Sequence, residues 1–221
     1  TDPSLGLDKF FARAQELDIV IFMHPLGFTQ GNRFLDHYFN NVIGNPLETT
    51  VAVSHLIFDG VMERYPKLKI VLPHSGGYLA HYWARMDHAW RARKDCHTVI
   101  KKAPTSHLKK FYFDTITFDT QMLRHSIDKW GVDHVLLGTD YPYDMGEENP
   151  VKLIDSVPRL TRAFVSGDHA GGRRTMDDGL GLALAFFGVL DCAISPSFDT
   201  PAARRCHRQL APRPIPTCPE K

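Results

Sequence analysis

Neither sign of charge dominates this 221-residue chain: 26 lysines and arginines stand against 25 aspartates and glutamates, a formal net charge of +1. That balance gives no pull toward nucleic acid or an acidic membrane, so neither is expected as a partner. Long apolar runs are missing as well. None approaches the roughly 20 residues of a membrane span, and the opening TDPSLGLDKFF lacks the basic-then-apolar layout of a signal peptide, so a cytoplasmic protein is expected. Cysteine is scarce. Cys96, Cys192, Cys206 and Cys218 show no CxxC spacing, which suggests neither a zinc cluster nor a disulfide framework. GxSxG, GxGxxG and the GxxxxGK phosphate loop are all absent, which removes the serine-hydrolase, dinucleotide and phosphate-cradle readings.

What is present is an alternation. LGLDKFFARAQEL has apolar residues at helical spacing, and DIVIFMHP after it is a short β-branched run ending in His24. PLETTVAVSHLIFDGVMERYP predicts a helix and LKIVLPHSGG a strand ending in His74; Ser54 and His55 fall inside that helix and form no catalytic pair. YLAHYWARMDHAWRAR predicts a helix, HLKKFYFDT a strand running to Asp114, TQMLRHSIDKWG a helix closed by its glycine, and DHVLLGTDYP a last strand. Four helix-then-strand units, with strands nearly continuous in hydrophobicity, predict a parallel sheet covered by helices.

His24, His74, Asp114 and Asp140 share one position, the carboxyl end of a strand just before its loop. In closed parallel barrels that rim is where side chains from neighbouring strands converge. A carboxylate such as Asp140 at the end of an apolar strand needs a positive partner. Two imidazoles and a carboxylate suit zinc or a similar divalent ion, which would be that partner. Taken singly, His24 could be structural, His74 could cap a turn, and Asp140 could make an Asx turn. HSGG also offers glycines that let backbone approach a substrate or an ion.

Beyond residue 157 the composition shifts: eight arginines and a single lysine follow, with seven of the fifteen prolines. Residues 158–221 are therefore expected to form an atypical tail, with a short apolar helix near 180–191 and disorder after it.

IFMHP, the run from PLETT to LPHSGG, and VLLGTDYP together resemble the amidohydrolase superfamily, in the branch typified by aminocarboxymuconate-semialdehyde decarboxylase. The likeness covers residues 5–157. It implies a TIM (β/α)8 barrel of the metal-dependent hydrolase type, of which strands five to eight are present. It further implies that His24 and Asp140 are metal ligands, with zinc the expected ion, and that His74 is the acid/base acting on metal-bound water. Arg85 matches an arginine that meets the substrate carboxylate in a neighbouring subunit's site, and Phe28 is expected at the substrate. The implied reaction is decarboxylation of a small unsaturated or aromatic carboxylic acid, with the hydrolysis of a lactone, ester or amide as an alternative, and a homodimeric full-length parent is expected. Relatives begin with a strand carrying HxH, and HxH occurs nowhere in this chain. The chain is thus expected to be the C-terminal half of such a barrel, with weak or no activity by itself; an inactive piece acting only by association is the third alternative.

Overall fold

Period-two alternation sets the two faces of the sheet that organises this chain. The structure, a computed structural model, describes residues 6–25, 32–158 and 160. Phe28 and the expected helix near 180–191, with the disorder expected after it, lie outside the described residues.

Helix α1 (Leu7–Glu16) follows Gly6, whose φ is 63°, and turns Phe11 and Ala14 inward three residues apart. Strand β1 (Val20–Phe22) comes next. After a π-helical turn, Asn40–Gly44, helix α2 (Asn45–Phe58) starts with proline in its first turn and buries Thr49, Val53, Leu56 and Ile57, a stripe at the 3.6-residue period. The single helix expected over 46–66 is broken. Gly60 adopts φ 76°, and α3 (Val61–Arg64) sets off in a new direction. Strand β2 (Lys69–Leu72) leads to α4 (Leu79–Tyr82) and α5 (Ala84–Ala92). The strand expected over 107–115 shortens to β3 (Tyr112–Asp114), because Pro104 opens a helical turn, α6 (Pro104–Leu108), that buries His107 and Leu108. Helix α7 (Thr120–Trp130) is capped by Asp119, whose carboxylate accepts from the N–H groups of Gln121 at 2.9 Å and Met122 at 2.8 Å. Gly131, at φ 100°, ends it. Strand β4 (Val135–Leu136) and helix α8 (Pro150–Asp155) complete the described elements.

The four strands pair in parallel in the order β1-β2-β3-β4. Each joins its predecessor through at least one helix, and right-handed crossovers laid down in one direction put all those helices on one face. A doubly wound sheet would reverse its order part-way; this one does not. Leu72, Phe113 and Val135 stand in register on the helix side. Leu72 and Phe113 are fully buried there with Ile70, Val53, Ile57 and Leu108, and Val135 packs against Leu123 and Ile127 of α7. Burying a side chain of Phe113's size contributes about 1.5–3 kcal/mol. Trp130 stacks on Phe113 at 5.3 Å between ring centroids and donates its indole N–H to the Ala80 carbonyl at 3.2 Å, which fixes α7 and α4 against β3. Phe22, Val71 and Tyr112 are in register on the opposite face, and period two carries that face to His24 and Asp114. The sheet is an open arc: among the described residues the outer edges of β1 and β4 pair with no strand.

Candidate active site

The carboxyl ends of β1, β2 and β4 place three of the expected residues together. Donor atoms of His24, His74 and Asp140 all lie within 4.8 Å of one another. The His24 and His74 rings meet edge to face with centroids 5.1 Å apart, and His74 Nε2 lies 3.9 Å from Asp140 Oδ2. The His24 side chain also stacks obliquely on Phe22 and places Nδ1 2.7 Å from the Pro25 carbonyl, which aims the other ring nitrogen away from its own backbone.

Backbone strain marks the same place. His74 and Ser75 both have φ 52°, Gly76 and Gly77 have φ 77° and 63°, and Asp140 has φ 55°. Left-handed non-glycine residues of this kind cost on the order of 1–3 kcal/mol and persist only where surroundings over-determine them. The glycines of HSGG are packed against other parts of the chain. A Cβ at Gly76 would lie 2.6 Å from the Phe113 ring, and one at Gly77 would lie 2.4 Å from the Pro46 carbonyl oxygen.

Burial dominates the electrostatics of the site. Burial, helped by the nearby His24, pushes the His74 imidazole down to about 4, so it is neutral at pH 7. Its Nδ1 is buried without a hydrogen-bond partner. Burial raises the Asp140 carboxyl despite His24, and Asp144 adds to the rise. Two imidazoles and a carboxylate form a donor set that fits a divalent ion.

Asp114 does not join the cluster as a donor. It is buried, and its carboxylate accepts from the backbone N–H groups of His74 at 2.9 Å, Ser75 at 2.6 Å and Ile116 at 3.1 Å. Burial pushes its carboxyl up to about 7 against the pull of those three donors. The sequence marks Asp114 as a strand end; its loop-holding contacts arise from folding alone. Arg85 is exposed on α5, whose neighbours are α6 and the turn at Lys94–His97, and it takes no part in the cluster. Tyr38 was missed as a link: its hydroxyl donates to Asp144 Oδ1 at 3.1 Å, tying the loop after β1 to the loop after β4.

The sequence matches the profile of the Amidohydrolase family over residues 1–162. The chain belongs to that family. Among curated amidohydrolase relatives, the 2-amino-3-carboxymuconate-6-semialdehyde decarboxylase of Dictyostelium discoideum is 34% identical over 161 residues, covering 72% of this chain and 44% of that protein. The gamma-resorcylate decarboxylase of a Polaromonas species is 29% identical over 142 residues, covering 61% and 44%. The amidohydrolase chain thus spans under half the length of these relatives. Among solved structures, 5-carboxyvanillate decarboxylase from Sphingomonas paucimobilis superposes with a TM-score of 0.62 at 26% identity, over 70% of this chain and 48% of that one. A dihydroxybenzoic acid decarboxylase from Polaromonas, solved with bound manganese and the inhibitor 2-nitroresorcinol, gives 0.61 at 25%, over 71% and 48%. The expected branch is borne out by these relatives.

Proposed function

We propose that this chain carries the ligand and acid/base half of a metal-dependent decarboxylase acting on a small aromatic or unsaturated carboxylic acid. The observation that carries the reading is the convergence of His24, His74 and Asp140 at the ends of three parallel strands. The decarboxylase relatives support the reaction class, and the consecutive strand order supports reading the sheet as an arc of a (β/α)8 barrel. His24 and Asp140 hold the ion, zinc or manganese. When bound, a divalent ion acts as a Lewis acid toward the oxygen atoms it meets.

His74 then does the proton work. Burial keeps its ring neutral, so Nε2 is ready to take a proton and return it. In decarboxylation the bond between carbon and carboxylate breaks heterolytically, the electron pair stays on carbon, and a proton joins that carbon as carbon dioxide leaves. Nε2 of His74 faces the ligand cluster and is the group placed to deliver that proton. Arg85, exposed on its helix, fits the role of a carboxylate contact across a subunit boundary. That boundary belongs to a homodimer of the full-length parent.

The test is metal content and carbon dioxide release by the full chain loaded with zinc or manganese, against dihydroxybenzoates and unsaturated acids. His24→Ala and Asp140→Asn are expected to abolish stoichiometric metal binding, while His74→Gln retains it and loses any turnover. A chain that binds no divalent ion, or binds it equally after both ligand substitutions, overturns the reading.

A further inference from the structure

Two neighbouring residues at the end of β3, Asp114 and Thr115, touch the loops that carry His74 and Asp140. On one side, the Asp114 carboxylate collects the N–H groups of His74 at 2.9 Å and Ser75 at 2.6 Å, and that of Ile116 in its own chain at 3.1 Å. On the other, the Thr115 hydroxyl donates to the Gly138 carbonyl at 3.2 Å and accepts from the Gly138 N–H at 3.1 Å. Gly138 stands two residues before Asp140, and a Cβ there would lie 2.9 Å from the Cβ of Asp114. The β4 loop therefore rests directly on the residue that holds the β2 loop. Both members of the pair are buried, Asp114 at 1% and Thr115 at 3% of full exposure, so water cannot replace the bonds they make.

The clamped segments need holding. Four successive residues from His74 to Gly77 take positive φ, and so does Asp140. A run of left-handed residues points its N–H groups to one side, and a carboxylate that gathers those groups stabilises that conformation over its right-handed competitors. The β2 loop has a single 3-10 turn, His74–Gly76, and the residues between Leu136 and Asp140 lie in no helix or strand. Strand β2 ends at Leu72 and β4 at Leu136, so the catalytic imidazole and the ligand carboxylate sit two and four residues past the last ladder pairing.

We propose that Asp114 and Thr115 are positioning residues whose paired hydrogen bonds set the distance between the His74 imidazole and the Asp140 carboxylate. Neither belongs to the donor cluster of His24, His74 and Asp140. The inference rests on the decarboxylase reading for its consequence in catalysis, but the clamp itself is a property of the metal-free chain.

The experiment uses the whole 221-residue chain given by the sequence, labelled with nitrogen-15 and kept in chelator, with amide hydrogen exchange read residue by residue. In the wild type the His74, Ser75 and Gly138 amides are expected to be protected. Asp114→Asn should speed exchange at His74 and Ser75 at least tenfold while Ile70 and Leu72 in the strand core keep theirs. Thr115→Val should do the same at Gly138 alone, and Thr115→Ser, which restores the hydroxyl, should return it to within twofold of wild type. A second arm titrates manganese into each variant by electron paramagnetic resonance. Asp114→Asn and Thr115→Val are expected to weaken binding at least fivefold, and Thr115→Ser to match wild type. If Asp114→Asn also loses protection at Ile70 and Leu72 it has unfolded, and the Thr115 pair decides. Unchanged Gly138 exchange in Thr115→Val, or unchanged His74 exchange in a folded Asp114→Asn, overturns the clamp. A wild type that binds no manganese counts against the metal reading instead and leaves the exchange arm to judge the clamp.

Discussion

His74 combines a left-handed backbone, a buried ring nitrogen without a partner, and a neighbouring carboxylate too far away for a hydrogen bond. Burial holds its pKa near 4 in the fold against 6.5 for the free side chain. The unfolded chain therefore binds a proton that the folded chain refuses between those values, and stability contributed by this group is complete above 6.5 and lost as pH falls toward 4. Asp114 runs the other way, since its raised pKa stabilises at low pH and that contribution fades as pH climbs through about 7. A comparison of wild type with His74→Gln cancels Asp114. In chelator, wild type should lose roughly 1–3 kcal/mol more than His74→Gln between pH 7 and pH 4, read from urea midpoints. Equal losses would mean that the imidazole is solvated. His24, His74 and Asp140 were legible as candidates because chemistry-bearing residues stood where apolar runs ended. Asp114 was legible only as one more polar strand end, since hydrogen bonds to the N–H groups of residues forty positions away leave no trace in local pattern.

Short strands and broken helices place those residues, and the breaks follow from identifiable atoms. Gly77 fits beneath the first turn of α2, where a Cβ would meet a backbone carbonyl that cannot swing aside, whereas a Cβ at Gly60 would meet the movable Val99 side chain at 2.8 Å. Both glycines carry positive φ, so each alanine substitution costs something. Gly77→Ala should destabilise by at least about 3 kcal/mol and Gly60→Ala by about 1–2 kcal/mol, measured by chemical denaturation. The Asp119 cap is a separate, milder case. Asp119→Ala removes two hydrogen bonds at the start of α7 and should cost about 1 kcal/mol. The helix positions were readable from apolar spacing and, for α7, from its closing glycine, Gly131, whereas the Asp119 cap emerged only with the fold. The break at Gly60 and the helical turn at Pro104 were not, because the first depends on Val99 packing close by and the second on His107 and Leu108 finding a buried place. Strand ends were over-extended for the same reason: hydrophobicity continues past Leu136, but the ladder partner on β3 does not.

At the scale of the molecule, the sheet is held from one side by a helix layer and presents its other face and both outer edges without further strands among the described residues. The edges are three and two residues long, too short to template much pairing. The ion reading makes a global prediction. A ligand that binds only the folded chain at a hundred times its dissociation constant stabilises by about 2.7 kcal/mol, which for a domain of this size is a rise in Tm of roughly 5–10 °C. Adding manganese or zinc to the chelated protein should give that rise. His24→Ala should remove it, as seen by differential scanning fluorimetry, and a melting point indifferent to metal in the wild type would count against the site.

Local pattern by itself determined the alternation of helix and strand, the parallel sheet, and which polar residues stood at strand ends, since each depends on the order of residues over one or two turns. Only tertiary structure decided that His24, His74 and Asp140 meet within 4.8 Å while Arg85 stays exposed on α5, and that a buried carboxylate and a hydroxyl at the end of β3 hydrogen-bond the loops that carry His74 and Asp140. The physical reason is range. Periodicity and capping act between neighbours along the chain, whereas convergence at a rim is set by strand register and by packing between segments dozens of residues apart, which no single stretch of sequence encodes.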